Sequence, residues 1–447
     1  MYDNARGIPI RGSASGAAVS SWTDHYVNIL AVALLGYAIF GKTFAYLGLP
    51  PFFIGEITLL LGLLALLQSG CLFASLASMP SIILGIAMGW VLLRTLPYLA
   101  TYGFDAARDS VVIMYGVFAF IVVGLLLEKP LRVFGTLRLY SKFAAIFVPA
   151  APLSFILSGY FGLVPPTLFL IRPGEAAVHL AGVSVFAMVG FRRMGAWSII
   201  AVVLTAAMVS SISRGGALAF IVPTIVAALL TGRVRLVGKI ATACLMLLAV
   251  AYVVEEAAFD GSADLGRRSV SAHQLIANAT SIFVDSGEPE ESTKEWRLRW
   301  WSIIFADTLH GPHFWTGRGF GLNLADADGF ADGINVDGPP LRSPHNAHMT
   351  NLARAGVPGL VLWVLVLLTW FGTIVTSYIE ARMRGQAAWA ALFMFVGCYQ
   401  LAMIINASFD VALEGPMLGI WFWCLYGFGI GSAMVHRVAG TPAPHHA

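Results

Sequence analysis

The sequence predicts an all-α polytopic integral membrane protein with about 12 transmembrane helices. One large outer loop, holding short amphipathic helices, separates the ninth span from the tenth. Three observations predict this. The 447 residues are 58% hydrophobic and 11% charged, with a mean hydropathy of +0.78, whereas a soluble domain carries roughly 25% charged residues. Runs approaching the ~20 apolar residues that a span requires are centred near residues 35, 60, 84, 118, 152, 183, 204, 222, 246, 366, 396 and 424. Basic residues also concentrate in alternate connections, as orientation in a bilayer requires.

Residues 1–24 are polar, rich in glycine and serine, and lack the apolar centre of a signal peptide, so they read as a flexible tail. Residues 25–255 hold spans one to nine. Pro149 and Pro152 predict a kink in the fifth. The spans near 204 and 222 are joined only by "SISRGG", a very tight turn. Glu56, in "FFIGEITLLL", is an ionisable group inside a span and is read first as functional; the structural alternative is a pair with Lys42. Cys71, Cys244, Cys398 and Cys424 all fall in apolar runs, without a disulfide framework or zinc spacing. Residues 256–355 form the large loop, 356–436 the last three spans and 437–447 a second tail.

If the N-terminus is cytoplasmic, the inner connections carry Lys129, Arg132, Arg138, Lys142, Arg192, Arg193, Arg233, Arg235, Lys239, Arg382 and Arg384. Arg6, Arg11 and Arg437 add to them from the tails. The outer connections hold only Lys42, Arg94, Arg108, Arg172 and Arg214. This bias puts both termini in the cytoplasm and the large loop outside. The net charge of +3 is less informative than this distribution.

Within the loop, apolar residues recur at helical spacing over 267–284 and more strongly over 293–309, "TKEWRLRWWSIIFADTL". A glycine-rich stretch follows. Its "DADGFADGINVDG" carries Asp326, Asp328, Asp332 and Asp337. Asp326-Ala-Asp328 matches a metal-holding D-x-D pattern, but that pattern is short, and Phe330 occupies a liganding position of the calcium-loop template. A solvated acidic loop is the expectation, with no metal. "GRGFG" (Gly317, Gly319, Gly321) follows no strand, so it reads as a turn and not as a dinucleotide fingerprint.

"SPHNAHMTNLARAGVPGL", residues 343–360, opens like a helix. Ser343 suits the N-cap and Pro344 the first helical position, while Gly356 and Pro358 mark a stop and a restart. His345 then falls in the first turn, where backbone N–H groups favour a neutral imidazole and attract anions. It reads as a general base, or as a capping or packed histidine. His348 shares its helix face. Arg214 reads as a phosphate ligand with planar, paired donors, or as an interfacial arginine reaching headgroups. Arg297 reads as a second cation at the same outer pocket, or as a charge on an interfacial helix with its tryptophans in the headgroups. Arg299, two positions on, lies on another face.

Taken in order, "SISRGG" at a span junction, "RLRWW" followed by "WTGRGFG", and "SPHNAHMTNLARAGVPGL" leading into a span resemble the O-antigen ligase superfamily of bacterial membrane glycosyltransferases. The resemblance covers roughly residues 200–430. It implies transfer of a glycan from undecaprenyl diphosphate to an acceptor hydroxyl at the periplasmic face of the inner membrane, with inversion and without metal or other cofactor. His345 matches the family's essential histidine, proposed as general base. Arg214 and Arg297 match arginines thought to hold the diphosphate. Asn346, His348 and Arg318 are candidate supporting residues.

The acceptor is another glycan for a polysaccharide polymerase and lipid A–core for a ligase; the motifs do not separate these. Two departures from the family pattern are Arg354, where relatives often carry an acid, and His348, where an aromatic residue is common. The chain has no acidic pair in its first outer loop, "LGLPPFF", unlike the other large class of lipid-linked sugar transferases. The alternative is a transporter or flippase of lipid-linked oligosaccharide. Both termini inside suits it, whereas the absence of repeated halves and the large outer loop oppose it.

Overall fold

The computed structural model describes residues 21–50, 52–157, 171–258, 275–276, 289–331 and 341–440. Its main helices are α1 (Trp22–Phe40), α2 (Ile54–Ser69), α3 (Met79–Thr95), α4 (Phe104–Met114), α5 (Val117–Glu128), α6 (Arg132–Leu157), α7 (Pro173–Met188), α8 (Ala196–Ile212), α9 (Arg214–Leu230) and α10 (Val234–Ala258). The second part holds α11 (Pro289–Leu309), α12 (Leu324–Asp328), α13 (Ala347–Met383), α14 (Ala387–Ala407) and α15 (Pro416–Gly440). A two-residue antiparallel pair, Gly48–Leu49 with Phe52–Phe53, shapes the turn before α2.

A helix stands at each of the twelve expected centres, and these helices differ in length. Among the described residues, six helices are long and apolar enough to cross a membrane, or seven if α4 and α5, bent by 43° at a short break, form one span. The apolar helices α2, α8 and α9 have 16 or 17 residues, which gives a rise of about 24–26 Å, short of the ~30 Å hydrocarbon core. Caps cut these runs: Gly70 ends α2 in the left-handed conformation, and Ser213 alone separates α8 from α9. Pro149 and Pro152 lie inside α6, as the sequence places them. The expected helix at 267–284 lies outside the described residues, apart from Leu275 and Ile276. So do Asp332 and Asp337 and most of both tails.

The core is centred on α15, almost wholly buried, against which α5 packs. A side chain at Gly427 would collide with Ala119 of α5, and one at Gly431 would come within 2.8 Å of Leu126. This is the small-xxx-small approach by which membrane helices gain van der Waals contact. Glu56 accepts hydrogen bonds from the Phe53 amide (3.2 Å) and the Tyr115 hydroxyl (3.1 Å). Lys42 instead lies 5.5 Å from the centre of the Tyr46 ring, so the alternative reading of Glu56 as a partner of Lys42 is replaced by a helix cap.

The break read at Gly356 is present. Its φ of 70° and ψ of −172° interrupt α13, a conformation open to glycine. The glycine-rich "GRGFG" segment is pressed against this break. Arg318 N donates to Ala353 O (2.8 Å), Gly319 N to Arg354 O (3.0 Å) and Val357 N to Phe314 O (2.8 Å). A Cβ at Gly356 would stand 2.6 Å from Phe314 O. These glycines therefore join two backbones, fixing the first turns of α13 on the large loop.

The loop also has a small core of its own, with Trp300, Ile304, Leu324, Phe330 and Leu352 packed together. Trp300 stacks on Phe330 at 4.9 Å. Its indole N–H donates to Asp328 (2.7 Å). Asp328 and Asp307 also grip the Arg318 guanidinium, at 2.5 and 2.6 Å. The acidic stretch is thus partly a structural clasp and not wholly solvated. A second set of ion pairs docks α4 on the loop: Asp109 accepts from Arg354 (3.0 Å), Arg342 (3.1 Å) and the Gly321 amide (3.2 Å).

Candidate active site

Three helix N-termini meet at one end of the bundle, around the turn that joins α14 to α15. Short residues permit the approach. In "SISRGG", the Ser213 hydroxyl caps α9 by accepting from the Gly216 amide (3.0 Å). A side chain at Gly215 would enter the space of Phe409, and a Cβ at Gly216 would stand 3.3 Å from Gly174 Cα in the first turn of α7. The N-termini of α7 and α9 therefore lie side by side, and the Arg214 backbone forms the first residue of α9. Each such terminus presents unpaired N–H groups and partial positive charge, so their convergence favours an anion.

His345 approaches the same turn from the loop. Here the structure differs from the sequence reading: α13 begins at Ala347, and its N-cap is Asn346, not Ser343. The Asn346 side-chain oxygen accepts from the amides of His348 (2.8 Å) and Met349 (3.2 Å). His345 thus precedes the helix instead of occupying its first turn. It is the one non-glycine residue with positive φ (54°) among the described residues. Such strain clusters where the surroundings hold a side chain in place. The surroundings here are Trp301, whose indole N–H donates to Pro344 O (3.0 Å), and Trp296, whose ring meets the imidazole edge-on at 6.3 Å. The tryptophans of α11 therefore face the protein, and Trp300 is completely buried.

The imidazole is partly exposed, with Nδ1 3.8 Å from Asp410 Oδ1. Asp410 is also paired with Arg172, the N-cap residue of α7, at 3.4 Å. Burial raises the Asp410 pKa, but His345, Arg172 and the Val411 amide outweigh it, and the carboxyl is held below its ordinary value of 3.8. Burial pushes the neighbouring Glu414 up, only partly offset by Arg354 and by the hydrogen bond from Thr350 (2.8 Å).

Arg297 projects from α11 towards this cluster, while Arg299 is exposed on another face. Burial lowers the Arg297 pKa, the negative charge of Asp410 opposes that shift, and the positive charge of Arg214 adds to it. The guanidinium Nε is buried without a hydrogen-bond partner among the described residues. The two arginines singled out in the sequence therefore act electrostatically on one another, and Arg297 also feels Asp410, which lies 3.8 Å from His345.

The three supporting candidates have separate positions. Asn346 is the cap. His348 is held away from the cluster: the Trp363 indole N–H donates to its Nδ1 (2.9 Å), and its Nε2 faces the Ser408 hydroxyl at 3.1 Å. Because indole only donates, Nδ1 is the acceptor and the proton of the neutral ring sits on Nε2. Arg318 is engaged by Asp307 and Asp328. Among residues missed in the sequence, Asp410 is central, and Arg172 had been noted only as an external charge. An ionisable pair placed at two outer span ends was the available signal.

The Asp410 carboxylate leads to a prediction about stability. Its folded-state pKa lies below the unfolded value, so its contribution is fully present above pH 3.8 and is lost as pH falls through the lower folded value. Asp410→Asn is expected to reduce stability by about 1–3 kcal/mol at pH 7, with the difference from wild type shrinking at pH 3. Thermal unfolding of both proteins in detergent at the two pH values measures this. An equal difference at both would show that the charge is not responsible.

Comparison with known proteins adds an independent finding. No curated protein matches the chain. Residues 199–364 match the family model described as O-antigen ligase, a segment that contains Arg214, Arg297 and His345. Over that segment, with its "SISRGG", "RLRWW" and "SPHNAHM" motifs in order, the chain is similar to the O-antigen ligase family.

Proposed function

We propose that this protein is a periplasmic-face glycosyltransferase of the bacterial inner membrane. It would move a glycan from undecaprenyl diphosphate to an acceptor hydroxyl, as an O-antigen ligase or a polysaccharide polymerase does. One observation carries the reading: Arg297 is desolvated beside the charge of Arg214, with a buried donor left over, where helix N-termini converge close to His345. A desolvated guanidinium with an unpartnered buried donor, lying in the positive field of a second arginine, has the character of an anion site. A diphosphate supplies the missing negative charge.

The reaction that this reading requires is an in-line displacement at the anomeric carbon. The acceptor oxygen attacks the anomeric carbon from the face opposite the diphosphate, which inverts the configuration. As the new C–O bond forms, the hydroxyl proton passes to His345 and the bond to the diphosphate oxygen breaks. The leaving diphosphate takes the bonding electrons, and Arg214 and Arg297 stabilise the charge that develops on it. With Nδ1 turned towards Asp410, the imidazole presents Nε2 to the acceptor and the carboxylate stabilises the imidazolium that results. No general acid is required, because a lipid diphosphate is already a good leaving group.

The test is glycan joining by the purified full chain in liposomes that contain undecaprenyl diphosphate–linked oligosaccharide, with and without a lipid A–core acceptor. Product dependent on the core acceptor identifies a ligase, and lengthened lipid-linked glycan identifies a polymerase. Movement of the donor between leaflets without any new glycosidic bond would replace the transferase reading by the flippase alternative.

A further inference from the structure

A second site lies at the opposite end of the bundle. α7 runs from Arg172, at the His345 cluster, to a turn where Arg192 donates to Ser141 O of α6 (2.9 Å). At the level of that turn, α1, α5, α6, α14 and α15 enclose an open groove of about 330 Å³. Its walls are almost wholly apolar, with Leu34, Ile146, Trp421 and Leu425 among them, whereas its polar lining includes Asn28 and Lys142.

The two cations nearest this groove differ. Arg132 is consumed by Asp24 (2.6 Å), Glu128 (2.6 Å) and the Thr23 hydroxyl (2.6 Å). Lys142 is exposed and makes no ion pair among the described residues. Arg138, one turn earlier on the same face of α6, is exposed in the same way. An apolar channel with two adjacent uncompensated cations on the helix that forms one wall is complementary to a molecule with a long hydrocarbon chain and a negative head.

We propose that this groove binds an anionic phospholipid of the adjoining leaflet, with an acyl chain along the apolar wall and the phosphate at Lys142 and Arg138. The proposal is independent of the transferase reading, which uses the other end of the protein. A neutral or zwitterionic lipid would fill the groove equally well but would gain little from the two cations.

Native mass spectrometry of the full chain in detergent tests this by titration with phosphatidylglycerol and with phosphatidylethanolamine of the same acyl composition. The wild type is expected to prefer the anionic lipid by about 30-fold at low salt, from about fivefold per basic residue. The Arg138→Ala/Lys142→Ala double variant should abolish that preference. Ala31→Trp, which fills the groove and leaves both cations, should weaken binding of the anionic lipid. Equal affinity for the two lipids in wild type, or a preference unchanged in the double variant, would overturn the proposal. So would displacement of phosphatidylglycerol by undecaprenyl phosphate with the same midpoint in wild type and double variant, which would assign the groove to a polyprenyl chain.

Discussion

Replacing His345 by alanine is expected to lower glycan joining by about 10²–10⁴-fold, the range that a positioned general base contributes, while the lipid-linked donor still binds. The location of His345 explains both parts. Its ring stands between Trp296 and Asp410 and remains partly exposed, so it is open to an acceptor. His348, by contrast, has both ring nitrogens engaged in packing contacts. His348→Ala is thus a change in the support of α13 and not in proton transfer. The positive φ at His345 supplies a further control. Alanine bears a cost of roughly 1–2 kcal/mol in that conformation, whereas asparagine tolerates it much better. If His345→Asn regains the thermal stability lost in the alanine variant but remains inactive, backbone strain is separated from chemistry. Substantial joining by either variant would remove His345 as the base.

Much of the scaffold of this site is legible in the sequence, because the signals are local. The single-residue junction at Ser213 follows from "SISRGG" between two apolar runs, and the break in α13 follows from Gly356. The helix around "EWRLRWW" follows from its apolar spacing. The start of α13 was misread because Ser343 and Pro344 form a plausible cap, yet Trp301 holds the Pro344 carbonyl and Asn346 makes the capping bonds. That choice is decided by a residue more than forty positions away. Helix length is less legible for a related reason: an apolar run in the sequence includes residues that the helices leave in caps and breaks.

Long-range charge pairing is the part with no local signature. Arg354 looked like a departure from a family pattern, but its partner is Asp109 on α4, together with Arg342. Arg318 looked like a site residue in a conspicuous motif, and its guanidinium instead closes a clasp between Asp307 and Asp328. Asp410 is a single acid in a short turn. It gains meaning only when α7, α13 and the α14–α15 turn bring Arg172 and His345 to it.

Arg297→Ala is expected to lower turnover by about 10²–10³-fold, comparable with the loss of one preorganised donor at a developing negative charge, without lowering the stability of the substrate-free protein. The second half distinguishes a ligand-binding arginine from a structural one. A structural arginine such as Arg354 is matched by a buried acid, and its removal strands that acid at a cost of about 3–5 kcal/mol. Arg297 is instead desolvated, lies in the repulsive field of Arg214 and has a buried Nε without a partner. Removing it relieves repulsion and desolvation, so Tm in detergent should remain the same or rise. Undecaprenyl diphosphate should raise the Tm of wild type, because it binds the folded protein, and raise that of the variant much less. Arg297→Lys restores the charge but not the planar pair of donors, so partial recovery of turnover is expected. A fall in Tm for Arg297→Ala, together with an unchanged thermal shift on adding the diphosphate, would make Arg297 a packing residue and leave Arg214 and the helix N-termini as the anion site.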